Sequence, residues 1–276
     1  MKIVFSRKGF DDKYGGIPSV IWPETKEMLS FPIPVTSEEE DGYLAEKMSF
    51  KGHQLDILLS NLKYKSIRVE QKFHFDPMIQ SLLPEKLSIG AFGQSGAALG
   101  HLTNEKIAEG DVFLFFGTFC ECYWEAKELR RFKLMNSFHA IWGFLKVDCH
   151  IDIGPIPSEH EQELLKAHPC LKNHPHIQNR KNYDKSGNRI YFGEKFGTFH
   201  YDQTLRLSKN NFKKSIWELP EAFQGADISY VKPADVQKDA PRVDLKTPGK
   251  GQEFVLRDPN DGIMDWVNSI VNRDTI

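Results

Sequence analysis

Two pairs of side chains in this sequence have the types and spacing for proton transfer or metal ligation. His74 and Asp76 stand two apart in QKFHFDP, and His174 and His176 stand two apart in KNHPHIQ. In an extended chain such residues leave one face together, so each pair could present two ligands to an ion, or a general base beside its orienting acid. Pro175 is expected to keep a helix from forming between the two histidines. Four such groups could converge on one divalent ion and leave a position open for water. The plain alternative is a pair of solvated strands or a histidine-bearing loop. His74, Asp76, His174 and His176 are the candidate metal ligands, and a divalent metal is the one cofactor class this spacing suggests. Catalytic candidates are His74, Asp76, His176, Asp11 and Glu253, the last a carboxylate beside Gln252 at the edge of an apolar strand, where a lone Glu is more often surface.

A second set of residues has the chemistry of anion binding. Ser6, Arg7 and Lys8 end a strand-like opening, Asp11 follows, and Gly15-Gly16 could let the backbone approach a ligand. A charged surface turn would have the same composition. Gly90, Gly93, Gly96 and Gly100, with Gln94 and Ser95, run toward a helix whose free N–H groups could meet phosphate, and His101 could line the same place. The series is neither a Walker nor a Rossmann fingerprint, and small residues equally permit tight helix-on-sheet packing. Cys120 and Cys122 are too few for zinc by themselves and read as structural.

These groups need elements to hold them. Met1 to Ser6 reads as a strand, a Gly-rich turn follows, Pro18 to Pro34 stays extended, and Glu38 to Asp41 is an acidic loop. Gly42 to Leu62 reads as helical or mixed. In Ser66 to Asp76, Phe73 and Phe75 alternate with His74 and Asp76, which puts rings on one sheet face and polar groups on the other. The segment SIGAFGQSG is expected as a loop entering a helix, Val112 to Phe116 as a buried strand, Trp124 to Leu134 as a cationic helix, and HAIWGFLKV as a strand. Ser158 to Ala167 is a Ser-capped helix, and Tyr183 to Asn188 a hairpin turn leading to short strands. Gly225 to Gly251 reads as a long loop, and Trp266 to Asn272 as a short closing helix. The sum is an α+β fold with a mixed or antiparallel β-sheet and flanking helices, in one domain over 1–276.

The motifs FSRKGFDDKYGGIPS, FHFDP, AFGQSGAALGHL, GDVFLFFGTF, HAIWGFLKV, HPCLKNHPH, SIWELP and GQEFVL, in that order, resemble the third nucleotide-modification-associated domain family across nearly the whole chain. The resemblance implies an α+β domain acting in prokaryotic or phage DNA base modification, with enzymatic activity suspected from its polar residues. Met78 follows Pro77 where the family pattern carries an acid, which weakens a role for a second carboxylate there. GDVFLFFG with HAIWGFLKV also looks like the strand pair of PUA-like barrels of the EVE and ASCH type, which hold unusual bases in aromatic pockets. A barrel portion is expected on that ground, with Trp142, Phe116 and Trp22 as candidates for the wall.

Composition bounds these readings. The 276 residues, 40% apolar and 12% aromatic, can fill a sizeable core and exclude disordered and collagen-like classes. No window approaches the ~18 apolar residues of a spanning helix. MKIVFSRKG has no signal-peptide core, and four irregularly spaced cysteines favour a reduced compartment, so the expected location is cytoplasmic, with no membrane partner. The net charge of −2 conceals a stretch from Lys166 to Lys214 with eleven basic and three acidic residues, interleaved with aromatic rings. Such a stretch suits a nucleotide or nucleic acid, although a solvated face of a meander would read the same way. Two functions follow: an enzyme acting on nucleobases or nucleotides, or a PUA-like reader that binds a modified base without chemistry.

Overall fold

The computed structural model describes residues 1–276 apart from 12–13, 36–41, 65–69, 133–135, 184, 240 and 248–252. The acidic run Glu38 to Asp41 and Gln252 lie outside the described residues. The fold is built on the Val112–Glu125 strand, whose first five side chains, VFLFF, are all buried. A strand that is apolar on both faces must be covered on both. Ile3–Arg7 pairs with it in parallel and Phe138–Lys146 antiparallel. Glu253–Arg257 and Asp227–Ile228 extend the sheet beyond Ile3–Arg7, and Phe196–Thr198 extends it beyond Phe138–Lys146.

Each face of this mixed sheet is closed by a smaller antiparallel sheet. On one face Phe92, from the sheet of Cys149–Asp152, Asn188–Gly193 and Gly90–Ser95, packs on Phe113 and Phe115 with ring centroids 4.9 and 5.3 Å away. On the other, Trp217 of the Ile216–Pro220 strand sits 5.6 Å from Phe5 and 4.9 Å from Phe116. The helix Asp261–Val271 closes this face, with Asn260 accepting the Ile263 N–H at its N-cap and Trp266 packed on Phe223. A second apolar cluster gathers Phe10, Phe31, Phe73 and the inner face of the Leu55–Asn61 helix. The Lys72–His74 strand belongs to it, burying Phe73 and Phe75 while His74 and Asp76 face the other way, as the alternation requires.

The α+β class stands, whereas several expected elements do not. The barrel portion does not form: the central sheet has two ends, at Phe196–Thr198 and Asp227–Ile228, and its faces are covered by separate sheets. Trp142 and Phe116 are wholly buried in its core, and Trp22 packs against Phe50 and Trp124. The expected helix from Trp124 is a hairpin. The long strand ends at Glu125, turns through Ala126 and Lys127 at φ 49° and 69°, and returns as Glu128–Arg131. Two positive φ angles make this a primed turn, whose twist matches the strands it joins. The Gly225 to Gly251 loop holds the strands Asp227–Ile228, Val236–Asp239 and Arg242–Lys246, in the last of which buried Val243 and Leu245 alternate with polar residues. SIGAFGQSG is mainly the strand Gly90–Ser95, and Pro175 starts the short helix Pro175–Gln178, because proline fits the first helical position. Among the described residues no strand leads into Tyr183 to make a hairpin there. The Arg180–Tyr183 turn leads there into Asn188–Gly193, whose partners are Cys149–Asp152 and Gly90–Ser95. The closing helix begins five residues earlier than expected, at Asp261.

Two consequences are measurable. The two sheets cross where Gly193 meets the Lys146 carbonyl, and a β-carbon there would lie 1.8 Å from that oxygen. Gly193→Ala should therefore cost about 2 kcal/mol or more in urea unfolding, since the backbones must separate. His139 is buried and accepts from Trp217 Nε1 at 3.1 Å, and burial, with Arg7 and Lys214 adding to it, holds its pKa down to about 3. Its folded pKa lies below its unfolded value, so its contribution is complete above about pH 6.5 and is lost as pH falls toward 3. Replacing it with Gln should make the fall in stability between pH 7 and 5 shallower, by up to ~1.4 kcal/mol per pH unit.

Candidate functional site

Asp76 is the centre of a buried polar cluster. Its Oδ1 accepts the Gly93 N–H at 2.8 Å, and its Oδ2 lies 3.8 Å from His176 Nε2 and 3.9 Å from His74 Nε2. His174 Nε2 stands 3.3 Å from Oδ1, off the line of a hydrogen bond and with no other partner in its buried position. Burial alone would raise the Asp76 pKa, but the close approach of His174 and the charges of His174, His176 and His74 outweigh it and hold the carboxyl at about 2. It is an anion at neutral pH.

The surrounding hydrogen bonds determine which ring nitrogens carry protons. His174 caps the Pro175–Gln178 helix, its Nδ1 accepting the His176 N–H at 3.2 Å, which leaves Nε2 as the nitrogen that carries a proton, on the side of Asp76. For His176 the key is Asn188, whose Nδ2 donates to the His176 carbonyl at 2.8 Å and whose Oδ1 lies 2.6 Å from His176 Nδ1. The first bond orients the amide, so Oδ1 is the acceptor and His176 Nδ1 carries the proton. The bare lone pair on Nε2 then faces Asp76 and His74. Burial, the largest influence, holds the His176 pKa down to about 3, so this lone pair is available at neutral pH. Tyr183 stacks on the ring at 4.7 Å and 6°.

The donor atoms of His74, Asp76 and His176 all lie within 4.8 Å of one another. A point equidistant from the three is ~2.2–2.5 Å from each, against about 2.0–2.2 Å for nitrogen and oxygen ligands of a divalent transition metal, so a few tenths of an ångström of closure would fit one. His174 stands behind Asp76 and outside this trio.

A second cluster occupies the opposite face of the Gly90–Ser95 strand, as alternation requires of residues 93 and 94. Glu253 Oε1 accepts from Gln94 Nε2 at 2.7 Å, from Lys8 Nζ at 3.0 Å and from Ser6 Oγ at 3.3 Å. All four residues are buried, and the Lys8 ammonium lies 4.5 Å from the Phe92 ring centroid. The extra hydrogen bonds are what make a buried ion pair tolerable.

The remaining candidates fall elsewhere. Arg7 points to the other face of its strand, over the Phe116 ring, with its Nε buried and unpartnered; burial lowers its pKa against the pull of Asp11 and Glu253. Asp11 accepts the Tyr14 N–H through Oδ1 and the Gly16 N–H through its carbonyl, so Gly15 and Gly16, both at positive φ, close a turn around it. Ser95 precedes the Gly96–Asn104 helix without capping it, and the Gly96 N–H is taken by the Ser186 carbonyl. His101 meets Ser229 Oγ at 3.0 Å and the Tyr230 ring at 4.6 Å. In the basic stretch, Arg180 pairs with Glu161, Arg189 with Asp152 and Lys209 with Asp244, while Tyr191, Phe192 and Phe199 are core. Asn188 and Tyr183 were not among the candidates. Asn188 sends no signal of its own, because its role depends on strand pairing opposite Ser95.

Among the described residues no helix is long and apolar enough to cross a membrane. No curated protein and no solved structure matches the chain. The model of one family does match, over residues 2–257, a span that includes every strand of the central sheet and both polar clusters. The chain belongs to that family, nucleotide modification associated domain 3.

Proposed function

We propose that this protein is a nucleobase- or nucleotide-modifying enzyme whose reacting centre is His74, Asp76 and His176 around one divalent metal ion. The observation that carries the reading is the tautomer of His176. Its proton is committed to Asn188, and its lone pair converges with a carboxylate held as an anion and with His74. A ligating histidine that donates its other N–H to an oxygen acceptor is the usual support of a metal site. When bound, such an ion supplies an activated water or polarises a substrate oxygen.

The protein groups have separate tasks in this reading. Asp76 gives Oδ2 to the centre and keeps Oδ1 for Gly93 and His174, which makes His174 a positioning residue. His74, 19% exposed against 5% for Asp76 and His176, forms the solvent side, where substrate would arrive. In a metal-free variant of the reading, His74 is a general base oriented by Asp76. Glu253 and Lys8 brace the strand from behind instead of reacting. The alternative of a PUA-like reader would draw on Phe116 and Trp142 as a base-binding wall, and both rings are enclosed in the core.

Metal analysis tests the proposal. Protein equilibrated with Zn²⁺, Mn²⁺ or Fe²⁺ and desalted should retain about one equivalent of one of them, and His176→Ala or Asp76→Asn should lose it. His174→Gln should retain the site with roughly 10- to 100-fold weaker affinity, as a positioning residue does. Wild-type protein that retains none of the three ions would remove the metal. Gly93→Ala should also lose the ion, because it displaces the His176 ring, while circular dichroism still shows a folded chain.

A further inference from the structure

The hairpin that replaces the expected cationic helix borders a cleft of about 620 Å³, lined among others by Lys63, Tyr123, Glu125, Arg130, Arg131 and Phe132. Two of its cations are held in place by the end of the Leu55–Asn61 helix. Arg130 Nη1 donates to the Asn61 carbonyl at 3.3 Å and Arg131 Nη2 reaches the Leu62 carbonyl at 3.5 Å. Those carbonyls are the negative end of the helix, so they orient the guanidiniums without neutralising them. Arg130 also pairs with Glu125 and Glu128, but both carboxylates are about half exposed or more, and such pairs are weak enough for a phosphate to displace. Arg131 has no carboxylate partner among the described residues. At the rim Phe132 is 43% exposed and lies 4.7 Å from the half-buried Tyr123 ring. A large ring left in water beside oriented guanidiniums and a lysine is the composition of a surface that stacks bases and holds the backbone joining them.

We infer that this cleft binds a single-stranded segment of nucleic acid, with Lys63, Arg130 and Arg131 on phosphates and the Phe132 ring under a base. The inference is independent of the metal centre, since it concerns affinity and needs no turnover. It also locates the nucleic-acid contact away from the Lys166 to Lys214 stretch, several of whose cations already have carboxylate partners.

Fluorescence anisotropy with a labelled single-stranded oligothymidylate of ~10 nucleotides tests it, with a duplex of equal length and free thymidine monophosphate as comparisons. Phe132→Ala should weaken single-strand binding roughly 5- to 150-fold, as loss of one stacking ring does. Lys63→Ala and Arg131→Ala should each weaken it and reduce the salt dependence by about 0.7 in log–log slope, the share of one phosphate contact. Arg131→Lys should keep most of the slope. Thermal unfolding of each variant checks that the fold is intact; Phe132 and Lys63 are exposed, so at least those two test the idea on folded protein. Absence of binding at low salt, affinity unchanged in Phe132→Ala and Lys63→Ala, or a preference for duplex indifferent to Phe132 would overturn the inference. Monophosphate binding as tight as the oligomer's would overturn it too, by assigning the cleft to a free nucleotide.

Discussion

A β-carbon at residue 93 would stand 2.3 Å from the His176 ring, so the approach of the Pro175–Gln178 helix to the Gly90–Ser95 strand depends on a glycine there. The same residue donates its N–H to Asp76. One position thus seats the histidine and fixes the carboxylate, and the two cannot be placed independently. The alternation of the strand then hands the next residue, Gln94, to the opposite face, where it completes the hydrogen bonding of Glu253. The candidate site and the Lys8–Glu253 pair are two sides of one strand.

That arrangement has an electrostatic logic. Asp76 is buried, and a buried carboxylate is costly unless donors and positive potential surround it. Here a backbone N–H, from Gly93, donates to it and three imidazoles surround it, two of them with tautomers set by neighbours that do not titrate: a helix N–H for His174 and an amide for His176. The cluster therefore sets an anion beside the bare Nε2 lone pair of His176, an arrangement that receives a cation. Behind the strand, the charge of Lys8 is cancelled locally by Glu253, whose Oε1 takes three donors, so the core between the sheets carries no net charge from this pair.

The aromatic content serves the layers more than any ligand. Phe113 and Phe115 face one small sheet, Phe5 and Phe116 the other, and this double cover takes up the rings that a base-binding barrel would have displayed. Exposed rings such as Phe132 are then the informative ones, because burial is what the core asks of the rest.

Local pattern alone specified several parts of this molecule. The apolar run Val112 to Phe116 could only be a central strand, the alternation of Phe73 and Phe75 with His74 and Asp76 put the polar pair on one face, and Ser158 capped its helix as its type requires. The candidate trio was legible as residue types, since His74, Asp76 and His176 stood out by spacing. Their meeting was not, because it depends on a contact between segments about a hundred residues apart and on the pairing of Asn188 opposite Ser95. The errors have the same origin. Trp124 to Leu134 has helix-forming charges, but strand pairing and a primed turn outweigh that weak preference, and the glycines of AFGQSG make room for the His176 ring at Gly93 and a positive φ at Gly96, which looks like loop composition until the partner is known. Pro175 is a helix breaker by residue type and a helix starter by position. Sequence determines which groups exist and which side of a strand they leave from, because those follow from covalent geometry. Tertiary structure alone decides which of them share a proton, a carboxylate or an ion, because that depends on distances no local pattern contains.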